Sequence, residues 1–513
     1  MSPQPEQANE MPASPYEPTG VPNLDLVLGG GLPRGSLTIV MGPPGSGKTT
    51  LANQIAFAAA HRSQRTLVLA ALSEPTGKLI EHLRAYQFFD ADLVGDLVQF
   101  LSLQQFLSGG LATTGEEIIA AAREERAGFV VLDGFRGVRG ATSDPQMVRQ
   151  FLYDVGTTLS LQGATTIITS EANAHDPAWF PEMTTADVII CLHYNLVGVR
   201  HQRGVEIIKM RAGNVLPGLH SIAIDDSGVV VYPRLEARMG IPRQRTLYSA
   251  LGRAGTGEPE PVVAPTAPGR VSFDLPELDE LLHGGLTPHT CTLLAGSLGV
   301  GKTLLGLQFA LAGIRAHEPT LFLGFRETPE QLLQNADAFA MGEELRAALR
   351  SDGLLGMLRW EPVELDPDIT ADRLLAVLDR TGTRRLIVDS IIELEHAVAT
   401  CTGSGRMPDF MAALLATLRA RGVTTLIIKE TRKVIGPELD LSSDPISMLA
   451  ENVLFLQQVP YQGKLHHVLA ALKTRLSAHE YTLREFAVER HQGIRVLTPN
   501  ESGIEVLSGI TGQ

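Results

Sequence analysis

Two glycine-rich segments carry the residue types that hold phosphate. The first runs Gly42-Pro43-Pro44-Gly45-Ser46-Gly47-Lys48-Thr49-Thr50, and the second Gly296-Ser297-Leu298-Gly299-Val300-Gly301-Lys302-Thr303-Leu304. Both satisfy GxxxxGK[ST] between an apolar strand-like run and a helical run, the context that gives this motif its meaning. The glycines let backbone N–H groups turn inward around phosphate oxygens, and the following helix N-terminus adds positive potential. Lys48 and Lys302 are expected to reach the β- and γ-phosphates, and Thr49 and Thr303 to offer a hydroxyl to Mg²⁺. ATP and Mg²⁺ are the expected cofactors.

Carboxylates stand where this chemistry needs them. Asp133 ends GFVVLD and Asp389 ends RLIVD. An acidic residue closing a buried strand beside a phosphate loop suits a magnesium-orienting role, although a lone Asp there is more often a helix cap. Glu74 follows the run TLVLAALS, and Glu327 follows TLFLGFR. A carboxylate at that point can position the water that attacks a γ-phosphate; the plainer alternative is a helix N-cap.

The elements that must position these residues come twice. Leu24-Asp25 and a Gly-Gly-Gly-Leu run (Gly29–Leu32) precede the first loop, and Leu278-Asp279 with Gly-Gly-Leu (Gly284–Leu286) precedes the second. Asp25 and Lys48 stand as far apart as Asp279 and Lys302. In each copy, short continuously apolar runs alternate with helical stretches, the pattern of an α/β fold with a mainly parallel sheet flanked by helices. Each copy closes on alternating segments, VEIIKMRAG with HSIAIDDSGVVVYP and HHVLAALKTR with LREFAVERHQGIRVL, expected as appended antiparallel strands. The chain divides accordingly into a proline-rich flexible leader (1–17), a first domain (18–241), a Pro/Gly-rich linker (242–269), a second domain (270–498) and a tail (499–513).

Bulk properties narrow the function. The 513 residues carry a formal net charge of −14, which argues against a nucleic-acid partner, since duplex binders normally show an electropositive face. Cys191, Cys291 and Cys401 lie far apart, so a disulfide framework or a structural zinc site is not expected. No apolar run approaches membrane-spanning length, and the N-terminus lacks a signal-peptide layout. A cytoplasmic location without membrane association is the expectation.

The doubled layout, the Leu-Asp and Gly-Gly-Leu entry, the strand-ending glutamates and a late Lys-x-Arg resemble the RecA/DnaB superfamily of ATPases, and within it the KaiC-like branch. The resemblance spans about residues 18–498. It implies two tandem RecA-like P-loop domains, self-assembly into a homohexamer with ATP between neighbouring subunits, and regulatory protein partners. It also implies a role in circadian timing or stress signalling and Ser/Thr autokinase activity in the second domain. Lys209 with Arg211, and Lys473 with Arg475, match the pair that reaches the neighbouring subunit's ATP. Two departures stand out. Where the branch has a Glu-Glu pair, this chain has Ser73-Glu74 and Arg326-Glu327. Ser447 falls at one phosphoacceptor position, with Ser442 and Ser443 nearby, but Met448 takes the place of its threonine partner, which argues against dual-site cycling. Besides the ATPase, an ATP-gated signalling scaffold without kinase activity fits these departures. A DNA recombinase or helicase fits less well, for want of a basic, aromatic-interleaved loop.

Overall fold

The computed structural model describes residues 14–70, 76–140, 142, 144–171, 181–211, 213–239, 269–350, 353–431, 445–461, 464–475, 482–490 and 493–498. Ser73, Glu74, Ser442, Ser443, nearly all of the linker and leader, and the tail lie outside these. The chain separates into two compact units, Met1–Ile241 and Pro242–Gln513.

Each unit is built on a nine-stranded sheet. In the first, the parallel order is Val98–Ser102, Thr66–Ala70, Phe129–Leu132, Thr165–Ser170, Leu37–Met41 and Val188–Val197. Arg200–Met210, His220–Asp225 and Gly228–Tyr232 continue it antiparallel. In the second, Leu355–Arg359, Thr320–Gly324, Arg385–Asp389, Thr424–Glu430, Cys291–Gly296 and Asn452–Tyr461 are parallel. Lys464–Thr474, Leu483–Glu489 and Gly493–Val496 complete it antiparallel. The two outer parallel strands, Val98–Ser102 and Leu355–Arg359, are half-buried and carry no continuous apolar run.

Successive side chains of a strand point to opposite faces, so a sheet covered on both sides reads as unbroken apolar sequence. Val40, Val68 and Val131 enter one core layer with Leu51, Ile55 and Phe57 of the helix Lys48–His61. Ile39, Leu67, Leu69 and Leu132 enter the other, against Phe151 and Val155 of the helix Pro145–Leu161. Full burial of a side chain such as Phe57 is worth about 1.5–3 kcal/mol. This packing fixes the helix that carries Lys48 against the strands that carry Asp133.

The repeated entry motif is a structural clasp. Asp25 Oδ1 accepts from the Thr19 N–H (2.9 Å) and hydroxyl (2.6 Å). Asp279 accepts from the Phe273 N–H (2.9 Å) and the Ser272 hydroxyl (2.5 Å). Gly31 (φ +127°) and Gly285 (φ +113°) pass so close to the entering chain that a Cβ would sit 2.5 Å from the carbonyl oxygens of Glu17 and Val271, respectively. The glycines are thus required both by backbone conformation and by space. Tyr16–Glu17 pairs antiparallel with Leu32–Pro33, and buried Glu17 is held by Arg34 (2.8 Å) and Arg62 (2.9 Å). The end of the expected leader therefore belongs to the fold, because this strand pairing and ion cluster fix it.

Candidate nucleotide sites

Both phosphate loops lie at the carboxyl end of a central parallel strand, the place where open α/β sheets bind ligands. Gly47 (φ +102°) and Gly301 (φ +100°) lead into the helices Lys48–His61 and Lys302–Arg315, and no side chain caps either N-terminus. Other helices of the chain are capped, by Asp144, Asp366 and Thr328. The open first-turn N–H groups suit an anion. The buried hydroxyls of Ser46 and Ser297 also have no hydrogen-bond partner among the described residues. Gly299 (φ +73°) has open space where a side chain would stand. These features fit a polyphosphate.

The loop lysines share one environment. Lys48 Nζ donates to the Pro43 carbonyl at 3.0 Å, and Lys302 Nζ to the Ser297 carbonyl at 2.6 Å. Burial lowers the pKa of each ammonium; Glu171 and Asp133 oppose this at Lys48, as Glu430 and Asp389 do at Lys302. Thr49 donates to Asp133 (3.2 Å) and Thr303 to Asp389 (2.6 Å), so each hydroxyl–carboxylate pair stands beside its lysine. An oxygen donor set of this kind suits a hard cation such as Mg²⁺.

The copies differ around the aspartate. Thr169, on the neighbouring strand, adds a second hydrogen bond to Asp133 at 2.6 Å. Ile428 takes the corresponding place beside Asp389. Burial pushes the Asp389 carboxyl up to about 6; the Thr303 hydroxyl and Lys302 pull it down, while Glu327 and Glu393 push it further up. An unfolded chain releases this proton near pH 3.9. The folded state therefore binds it more tightly, and ionising Asp389 costs stability that accrues as pH rises from about 4 to about 6 and stays constant above. A cation held by this carboxylate competes with the same proton. Mg-ATP affinity at the second site is expected to fall by up to about tenfold per pH unit below about pH 6, and Asp389→Asn to abolish that slope. Nucleotide titrations across that range check it; an unchanged slope in the variant would remove Asp389 from the metal site.

In the second unit a cavity of about 410 Å³ brings Lys302, Thr303, Arg326, Glu327, Asp389 and Glu430 together. Arg326 donates to Glu393 at 2.8 Å and stands 3.7 Å from Glu430. The Glu393 carboxylate also accepts from Ser390 at 2.9 Å. In the first unit Glu171, which follows the strand matching that of Glu430, pairs instead with Arg136 at 2.7 Å. The motifs did not point to Thr169, Glu171, Glu393 or Glu430; the only signal was the place of Thr169, Glu171 and Glu430 at or after the ends of strands neighbouring the aspartates, and of Glu393 on the helix that follows Asp389.

Beside the first loop, the Arg203 guanidinium donates to the Gly45 carbonyl at 3.3 Å and covers the Tyr194 ring at 4.5 Å. His467 stands to Lys473 as Arg203 stands to Lys209, and its ring lines the second cavity.

The Lys-x-Arg pairs do not join their own chain's sites. Met210 pairs with Val188, which pairs with Thr38 at the start of the strand that ends at Met41. That places the pair roughly 13 Å from the loop at the strand's far end, at about 3.3 Å per residue. Lys209 donates to the carbonyls of Met183 and Thr184, both at 3.2 Å, and Arg211 pairs with Asp187 at 3.2 Å. Lys473 donates to the Ser447 carbonyl (2.7 Å) and Arg475 to that of Met448 (2.8 Å). Ser447 is buried in the short helix Pro445–Leu449, while Met448 is exposed. Among the described residues no group of three or more His, Cys, Asp or Glu could hold a metal by itself, and no helix is long and apolar enough to cross a membrane.

Fold and sites together define a protein with two tandem RecA-like P-loop domains. The family described as "ATPase: KaiC" matches residues 17–236 and again 271–501, and the chain belongs to it. It is 23% identical to the circadian clock oscillator protein KaiC 1 of Synechocystis sp., over 96% of this chain and 91% of that protein. It is 24% identical to the circadian clock protein KaiC3 of the same organism (96% and 93%). To the circadian clock oscillator protein KaiC of Synechococcus elongatus it is also 24% identical (92% and 87%).

Proposed function

We propose that this KaiC-family ATPase is a Mg²⁺-dependent, ring-forming enzyme whose first domain hydrolyses ATP slowly and whose second domain binds ATP to hold the assembly. The carrying observation is the double constellation of an uncapped loop, a loop lysine at least partly buried and a hydroxyl–carboxylate pair. Bound Mg-ATP supplies the electrophilic γ-phosphorus. Lys48 and Lys302 offset phosphate charge, Asp133 and Asp389 orient the cation through their threonines, and Glu74 and Glu327 position the attacking water. The separation of Lys209/Arg211 and Lys473/Arg475 from their own loops supports a role toward a neighbouring subunit, with a homohexamer as the assembly. The relatives' names make timing the proposed setting, and three cysteines far apart in the sequence accord with the cytoplasm.

For the output, the burial of Ser447 favours a scaffold whose ring is read by a regulatory protein partner over one that phosphorylates itself there. Autophosphorylation of Ser447 requires its helix to open first. Mass measurement of the purified protein with and without Mg-ATP, followed by phosphopeptide mapping, tests both parts. A ring that forms with Mg-ATP and carries no phosphoserine is expected. A monomer under both conditions would sink the assembly, and stoichiometric phosphate on Ser447 would restore the kinase.

A further inference from the structure

We infer that Arg326 is a γ-phosphate-sensing arginine supplied by the same chain, which pivots on Glu393 and exchanges Glu430 for the terminal phosphate, so that the second site tells ATP from ADP. The inference rests on the second cavity being a Mg-ATP site. Phe325 fixes the segment: it is fully buried, packs edge-on against Trp360 with ring centres 6.4 Å apart, and its N–H donates to the Asp389 carbonyl at 3.2 Å. The next two residues, Arg326 and Glu327, then line the cavity beside Lys302 and Asp389.

The charges explain why an arginine is needed here. Glu327, Asp389 and Glu430 line the cavity and Glu393 adjoins it, against the cations Lys302 and Arg326. Without the guanidinium the excess of carboxylate would oppose a polyphosphate at close range. The first unit neutralises its matching glutamate, Glu171, from Arg136 on the helix after the aspartate. In the second, Ile392 takes that place and the arginine has moved next to Glu327.

The two contacts of Arg326 are unequal. Its bond to Glu393 is a short one at 2.8 Å, and Ser390 anchors that same carboxylate. Its approach to Glu430, at 3.7 Å, is an ion pair too long for a hydrogen bond. A guanidinium has five N–H donors, and only the Nε–H is spent in a hydrogen bond among the described residues. The side chain is 57% exposed, so the fork is free to turn. Glu430 also acts electrostatically on Lys302. A γ-phosphate drawn to Lys302 thus competes with Glu430 for Arg326, and a bidentate guanidinium–phosphate contact is the stronger. ADP lacks the group that completes the exchange.

The test uses the full chain carrying Lys48→Met, which silences the first site, and measures binding of the β,γ-imido analogue of ATP and of ADP by calorimetry. Arg326→Gln is expected to weaken the ATP analogue about tenfold and to leave ADP within about twofold. Glu430→Gln is expected to move the ratio of the two affinities the opposite way. ADP binding doubles as the check that each variant is folded. Equal effects on both nucleotides, or none, would reduce Arg326 to a structural counter-ion and overturn the inference. Failure of the Lys48→Met chain to bind either nucleotide would overturn the second-site reading and this inference together.

Discussion

Glu74→Gln is expected to slow ATP turnover at the first site about 100- to 10,000-fold, the range for removing a positioned acid–base group, and to leave ATP binding within a factor of a few. Glutamine keeps the size and hydrogen-bonding reach of the side chain but cannot take the proton of an attacking water. Glu74 follows the strand Thr66–Ala70, whose Leu69 pairs with Leu132, the residue before Asp133. At the matching point of the second unit Glu327 shares a cavity with Asp389. The equivalent Glu327→Gln is expected to cost total turnover less than about tenfold, because the proposal assigns hydrolysis to the first domain and nucleotide holding to the second. Phosphate release by chains that also carry Lys302→Met isolates the first site. Unchanged turnover in Glu74→Gln with ATP still bound would leave that carboxylate as a helix cap.

The difference between the two glutamates could be read from Ser73 and Arg326, but the partners that give it meaning could not. Phosphate loops are legible because the chemistry forces lysine, threonine and glycine into fixed local spacing. Central strands are legible because burial on both faces leaves unbroken apolar runs. The outer strands Val98–Ser102 and Leu355–Arg359 escape because one face meets solvent and their pattern is mixed. The contact of Arg326 with Glu393 spans 67 residues, and that of Thr169 with Asp133 spans 36. Such pairs follow from strand order in the sheet, with no local periodicity to announce them. The Leu-Asp and Gly-Gly-Leu signature was legible as a repeat, but not as a clasp. Its meaning depends on the chain of residues 16–19 and 271–273 folding back over those glycines and aspartates.

Lys302→Met is expected to separate stability from binding at the second site. Lys302 is 9% exposed, and its ammonium donates only to the Ser297 carbonyl of its own loop among the described residues. Burial lowers its pKa, so the charge is held there at a cost that Glu430 and Asp389 only partly offset. Methionine keeps most of the side-chain volume without the charge. The nucleotide-free variant is therefore expected to unfold at the same temperature as the parent or higher. Its Mg-ATP affinity is expected to fall about 10- to 150-fold, the equivalent of a lost charged hydrogen bond worth about 1.5–3 kcal/mol. Thermal unfolding with and without Mg-ATP, in a Lys48→Met background, reads both quantities. The parent second site should gain about 2.7 kcal/mol at a nucleotide concentration one hundred times Kd, and the variant only about 0.3–1.4 kcal/mol at that same concentration. A variant that unfolds earlier when empty would show that Lys302 holds the loop together. A variant that keeps the full nucleotide-dependent gain would show that the phosphates are held by backbone N–H groups alone, and that the lysine is kept for the chemistry that follows binding.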